Sequence, residues 1–230
     1  EDNVWFGRHE NFTPKLTKVD SQTGVDLVNF TGPRAGYTQL WISGKIVAST
    51  ALGMTITDAV TGTTVNAPAG TYGAIAPLSA TEVISPGINS NEVARVLDVN
   101  TAAVVRTFPT QHGDARGVTV GTDGHIWICS RVLSIAGTMG VFRYRPDGTL
   151  VKRFETGLNP SGVGVDADGN IWVTHVKSDY AVKINPTLDG GLGRIVGNVY
   201  LGIGSYNYSD GTGATSVTVG RDAEWRGIYD

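Results

Sequence analysis

The stretch Gly117-Val118-Thr119-Val120-Gly121-Thr122-Asp123-Gly124-His125-Ile126-Trp127-Ile128 returns as Gly162-Val163-Gly164-Val165-Asp166-Ala167-Asp168-Gly169-Asn170-Ile171-Trp172-Val173. A chain that repeats itself at this spacing folds into structural units that repeat. Each copy is an alternating apolar run, an Asp-Gly turn and a second apolar run, which together spell a β-hairpin. A third strand follows in both, Val141 to Tyr144 before Pro146-Asp147-Gly148 and Ala181 to Ile184 before Asn185-Pro186. A fourth, such as Leu150 to Phe154, completes a meander of four strands.

Weaker copies lie upstream. Asn3-Val4-Trp5-Phe6 matches the second strand, and Lys15 to Val19 with the turn Asp20 to Gly24 matches the third. The pattern returns in Gly44 to Ala48, Thr55 to Thr57 and the turn Asp58 to Gly62, then in Thr81 to Ile84, Val93 to Leu97 and the turn Asp98 to Thr101. Aligning Val4, Ile46, Val83, Ile126 and Ile171 gives a period of roughly 40 residues, that of a four-stranded propeller blade. The predicted fold is therefore all-β, a β-propeller of about five four-stranded blades in a single domain spanning residues 1–230. The blades fall at 1–36 with 216–223, 37–71, 72–113, 114–158 and 159–215. The first of these begins at its second strand, and Ser216-Val217-Thr218-Val219-Gly220 has the pattern of a first strand. Pairing the two ends would close the ring and cover an open sheet edge. Residues 224–230 are then a strand extension or the start of another module, and the structural alternative is six blades with one incomplete.

Composition agrees with this and narrows the partners. The chain is 40% hydrophobic and only 17% charged, with 31 glycines spread among short Val, Ile, Thr and Trp runs, as many tight turns between short strands require. A net charge of -3 and the lack of a long Lys/Arg cluster argue against nucleic acid as a partner. No apolar run approaches the roughly 20 residues of a spanning helix, so no membrane span is expected. Glu1 is not an initiator Met, which suggests a processed or excised end with any targeting segment removed before it. The one cysteine, Cys129, sits in the apolar run Ile126 to Cys129 and reads as a buried structural thiol rather than a nucleophile. Asn11, Asn29 and Asn207 begin Asn-x-Ser/Thr triplets, glycan acceptors in a eukaryotic secretory route and otherwise commonplace.

The phrases GVTVGTDGHIWI, PSGVGVDADGNIWVTH and AVKINP resemble NHL repeats and the related repeats of streptogramin lyases (virginiamycin B lyase-like), closely over about residues 110–190 and by period elsewhere. The resemblance implies a propeller of a kind found in secreted proteins, among them peptide-binding modules, scaffolds and a few enzymes. It also implies where a lyase would show itself, because its typical repeat ends the second strand in Trp-Phe-Thr-Glu and the enzyme uses a His and Glu pair with magnesium. The matching stretches here are Trp127-Ile128-Cys129-Ser130 and Trp172-Val173-Thr174-His175, and neither has the Glu. Lactonase-type propellers are similar in a looser way, and their metal carboxylates have no counterpart that can be placed.

Three constellations carry the remaining chemistry. Asp166, Asp168 and Asn170 alternate oxygen-bearing side chains as a calcium loop does, but the sister turn at Asp123-Gly124 explains the same segment as turn chemistry. Calcium is the only ion the sequence gives a place to, and no other cofactor is expected. His112, Asp114 and Arg116 precede the best repeat's first strand, where a propeller loop approaches the central channel and could grip a polar ligand; a solvated loop is the simpler reading. With His175 they form the candidate channel residues of an enzyme. Trp5, Trp127 and Trp172 share one position of the second strand, which favours packing between blades over stacking on sugars, while Trp41 and Trp225 fall on other strands. The glycine-bearing segment 202–213 lacks the Lys of a phosphate loop and reads as a tyrosine-bearing surface connection.

These observations converge on a secreted, extracellular, non-catalytic propeller used for binding or self-assembly as a scaffold, whose partner is another protein or copies of itself. A lyase- or lactonase-like enzyme is the alternative, and a glycan-binding lectin the second.

Overall fold

The computed structural model describes residues 4–8, 15–31, 38–49, 53–70, 73–87, 93–110, 113–131, 139–176 and 178–202. Among them every regular element is a β-strand. The first sheet holds β1 (Val4–Arg8), β2 (Lys15–Val19) and β3 (Asp26–Thr31). The second holds β4 (Thr38–Ile42), β5 (Lys45–Ser49), β6 (Met54–Asp58) and β7 (Thr64–Asn66), and the third β8 (Ala76–Pro77), β9 (Glu82–Ser85), β10 (Val93–Asp98) and β11 (Val104–Pro109). The fourth comprises β12 (Ala115–Val120), β13 (Ile126–Ser130), β14 (Gly140–Tyr144) and β15 (Leu150–Phe154), and the fifth β16 (Pro160–Val165), β17 (Ile171–His175), β18 (Tyr180–Asn185) and β19 (Arg194–Tyr200). Each is an antiparallel meander in sequence order.

The repeat anchors Val4, Ile46, Val83, Ile126 and Ile171 lie on β1, β5, β9, β13 and β17, the second strand of each repeat. The first sheet shows three strands among the described residues, starting at that second strand. Residues 216–220, expected to supply its missing member, lie outside the described residues, as do His112, Trp225 and Asn207.

Sheet stacking follows from side-chain alternation, because a strand buried on both faces must be apolar on both. Ile126, Trp127, Ile128 and Cys129 on β13 are all buried. Ile126 and Ile128 face the third sheet, sharing a cluster with Ile84, Val96 and Phe108. Trp127 and Cys129 face the fifth, with Val163, Val173 and Val182. A single sheet could cover neither face alone, so stability resides in the stack.

Connections alternate between two ends. At one end the turns are tight and have a shared mechanism: Asp20, Asp58 and Asp98 each accept hydrogen bonds from the backbone N–H groups two and three residues on, at 2.8–3.0 Å. Those donors hold the Asp20 and Asp98 carboxyls below their ordinary range, and Asp58 is lowered further, chiefly by Lys45 at 2.7 Å. The opposite end carries the second-to-third connections and those between sheets, and it holds Asp114, Arg116 and His175, whereas Asp166, Asp168 and Asn170 lie in a first-to-second turn at the tight-turn end.

Candidate functional site at the loop end

Four of the five second strands end at the loop end at the same height: Ser49, Ser85, Ser130 and His175 close β5, β9, β13 and β17, and all four are fully buried. His175 is the odd member, and its greater length gives it two partners. Its Nδ1 lies 3.1 Å from the carbonyl of Tyr180, and its Nε2 lies 3.2 Å from the Thr156 hydroxyl. A carbonyl can only accept, so Nδ1 carries the proton, and Nε2 is left to accept from Thr156. Burial lowers the imidazole's proton affinity, more than the contacts from Tyr180 and Thr156 raise it. The ring is thus a neutral strut that joins the connection after β15 to the start of β18.

Asp114 and Arg116, which the sequence offered as a grip on a polar ligand or as a solvated loop, pair with each other and recruit a residue it did not single out. Asp114 Oδ2 accepts from Arg116 Nε at 3.0 Å and Nη2 at 2.9 Å, with Arg131 Nε at 3.4 Å. The Arg131 backbone N–H also donates to the Asp114 carbonyl at 3.1 Å, tying the entry of β12 to the exit of β13. Val176 and Asn159 make the same backbone bond in the fifth sheet, so Asp114 and Asn159 are equivalent latches. Asp114 Oδ1 is buried without a hydrogen-bond partner. Arg131 follows its strand immediately, and only the alignment of the two latches could have signalled it.

The calcium reading meets a carboxylate already surrounded by donors. Asp166 accepts from the backbone of Asp168 and Asn170, from Asn170 Nδ2 and from Trp172 Nε1 at 2.8 Å, with Lys183 Nζ at 3.5 Å. Burial raises its pKa, but these donors outweigh it and the carboxyl ends below its ordinary range. Asn170 turns its amide nitrogen to Asp166, the opposite of what a metal would need from it. The segment therefore works as a turn.

The tryptophans divide. Trp127 is fully buried between the fourth and fifth sheets under the Arg143 guanidinium, whose carbon lies 5.1 Å from the ring centre. Trp172, half-buried, sits under Lys183 at 5.2 Å in the same way. Trp41 is exposed on β4, and the side chain of Trp5 lies outside the described residues. Cys129 is buried, its thiol donating to the Gly162 carbonyl at 3.5 Å, and burial pushes its pKa far up, which suits a structural thiol. A shallow pocket of about 260 Å³ opens between the fourth and fifth sheets, lined by Glu155, Thr156, Val182, Ile195, Gly197 and Asn198.

Similarity to solved structures settles the architecture. Virginiamycin B lyase from Staphylococcus aureus matches 93% of this chain and 73% of its own with a TM-score of 0.68 at 14% identity. Kuenenia stuttgartiensis hydrazine synthase matches 88% of this chain and 72% of its own at 0.67 and 14%, and the Myceliophteria thermophila Cps50 (Swd1) β-propeller domain 81% and 66% at 0.63 and 12%. The fold is a β-propeller. Its five sheets are blades, and the buried stack of aliphatic and aromatic side chains is blade-to-blade packing. Identity this low carries the propeller architecture and none of the neighbours' chemistry. No protein-family profile and no curated protein sequence matches the chain.

Proposed function

We propose that this propeller is a non-catalytic binding or assembly module working outside the cell. The observation that carries the reading is His175. The only histidine that ends a second strand among the described residues is sealed from solvent, and both its ring nitrogens are occupied by struts within the fold. A general base needs reach to a substrate proton, and this imidazole reaches only its own loop end. Asp114 is likewise latched to two arginines. Such bonds hold the described strand ends there in place, and groups held in place lose little conformational entropy when they bind. The extracellular setting rests on the resemblance to NHL and lyase-like repeats, and fractionation of the source cells tests it directly.

The catalytic alternative is tested with quinupristin and simple lactones, with and without magnesium. We expect no turnover by the wild-type protein, and a lower melting temperature with no other change in His175→Gln. Turnover that disappears in His175→Gln would overturn the non-catalytic reading.

A further inference from the structure

Blades in this chain interlock by a rule that the cross-strand registers expose. The position of Phe154 on β15, opposite Val141, corresponds to Phe108 opposite Ala94, Phe30 opposite Leu16 and Val199 opposite Ala181. In the second blade it is Ala67, whose N–H donates to the Met54 carbonyl at 2.9 Å. In the first four blades this side chain meets the third-to-fourth turn of the next blade. Phe30 lies 2.7 Å from where a Cβ on Gly62 would sit, Phe154 lies 3.0 Å from the same point on Gly193, and Phe108 fills the Cβ site of Gly148. Where the fourth strand offers only Ala67, the opposing turn carries Ala102 in place of glycine, and the two share one cluster. Large side chain against glycine and small against alanine: the fit is conserved by volume within one molecule.

A cationic clamp reinforces the junction of the fourth and fifth blades. Arg143 donates to the carbonyls of Pro186 at 3.1 Å and Gly191 at 2.6 Å in the fifth blade's turn, and Lys152 donates to that of Gly193 at 2.6 Å.

The fifth blade repeats this acceptor face and the first repeats the donor turn, yet among the described residues both lie open. Val199 stands at the Phe154 position and is 48% exposed, with Leu201 exposed beside it. Lys183 stands over Trp172 as Arg143 does over Trp127, but its partners are Trp172 and Asp166 of its own blade. In the first blade Gly24 closes the Asp20 turn at φ 70°, nothing lies within 4 Å of its Cβ site, and Val25 and Leu27 next to it are exposed. Among the described residues, the chain presents one half of an interlock at each end of its blade series.

We infer that a second copy of this chain fills the gap, its Asp20 to Leu27 turn seated on the Val199, Leu201, Trp172 and Lys183 face of the first. The contact is head-to-tail, so each copy keeps a free donor turn and a free acceptor face, and the assembly grows or closes as the rotation dictates. This deepens the assembly reading by naming its partner, and it depends on that reading.

The test is a pair of cysteines, Val25→Cys with Val199→Cys, oxidised in the full-length protein and resolved on a non-reducing gel. Cys129 is buried and contributes no background. Disulfide-linked dimers and higher species are expected, with each single variant giving far fewer. Sedimentation of the surface variant Val199→Asp completes it: Val199 is exposed, so folding is kept while self-association weakens by about tenfold or more, the effect of one buried apolar contact exchanged for a charge. An intramolecular disulfide would show that the chain's own first blade closes on its fifth and would overturn the proposal. So would a wild-type protein that stays monomeric at its solubility limit. Neither result bears on turnover, which the quinupristin and lactone assays decide separately.

Discussion

His175 shows how one residue converts position into pH dependence. Its folded-state pKa is lowered by burial, while in the unfolded chain it titrates near the ordinary value of about 6.5. Below that value the unfolded chain binds the proton more readily than the folded one, so stability falls as pH drops through about 6.5 and continues to fall until the folded-state pKa is reached. Thermal melts at a series of pH values should show this slope in the wild type and a flatter one in His175→Gln. An unchanged slope in the variant would assign the effect elsewhere. His175 itself was visible in the sequence, but its role was not, because Thr156 and the Tyr180 carbonyl reach it from two different connections. Asp166 was legible as turn chemistry, since the Asp-Gly turn of its sister repeat already accounted for the segment.

At the scale of elements, the second and third strands and their turns were read from the repeat, while most fourth strands and the interlocks between blades were missed. The third-to-fourth turns have φ near 60–90° at Gly24, Gly62, Gly148 and Ala102, a region where glycine is unstrained. At Gly148 the requirement is double, because Phe108 also occupies the Cβ site. Gly148→Ala should therefore cost about 2 kcal/mol or more, from the backbone conformation and the overpacking together. Phe108→Ala should cost about 3 kcal/mol by opening a cavity, and the double variant should be less damaging than the sum by about 1 kcal/mol. Chemical denaturation of the four proteins measures the coupling, and additivity would dissolve the interlock. The pairing of Phe108 with Gly148 is invisible in a linear reading because the two residues belong to different repeats. By contrast, the hairpin register alone places Trp127 opposite Arg143 and Trp172 opposite Lys183, so those cation–ring pairs could have been found from the predicted strands.

Across the whole molecule, each blade is held by its neighbours, so the strength of one junction sets how cooperatively the stack unfolds. The junction of the fourth and fifth blades hangs on Arg143, 3% exposed, which joins Trp127, Asp123 at 2.6 Å and two carbonyls of the next blade. Arg143→Met keeps the apolar stem and removes every one of those donors, at a cost of about 2–3 kcal/mol. Hydrogen exchange should then show amides of β16–β19 opening before those of β12–β15, whereas in the wild type the two blades open together. Uniform loss of protection in the variant would mean that the clamp does not govern the junction. The sequence alone determined the repeat, its period, the second-strand anchors and the turn residues, because these depend on local alternation and on backbone conformations that only a few residue types accept. The tertiary structure decided which candidates became struts, which glycines were obligatory and which faces stayed open. Those depend on contacts between residues of different blades, and the distance between such residues is set by the stacking of sheets rather than by their separation along the chain.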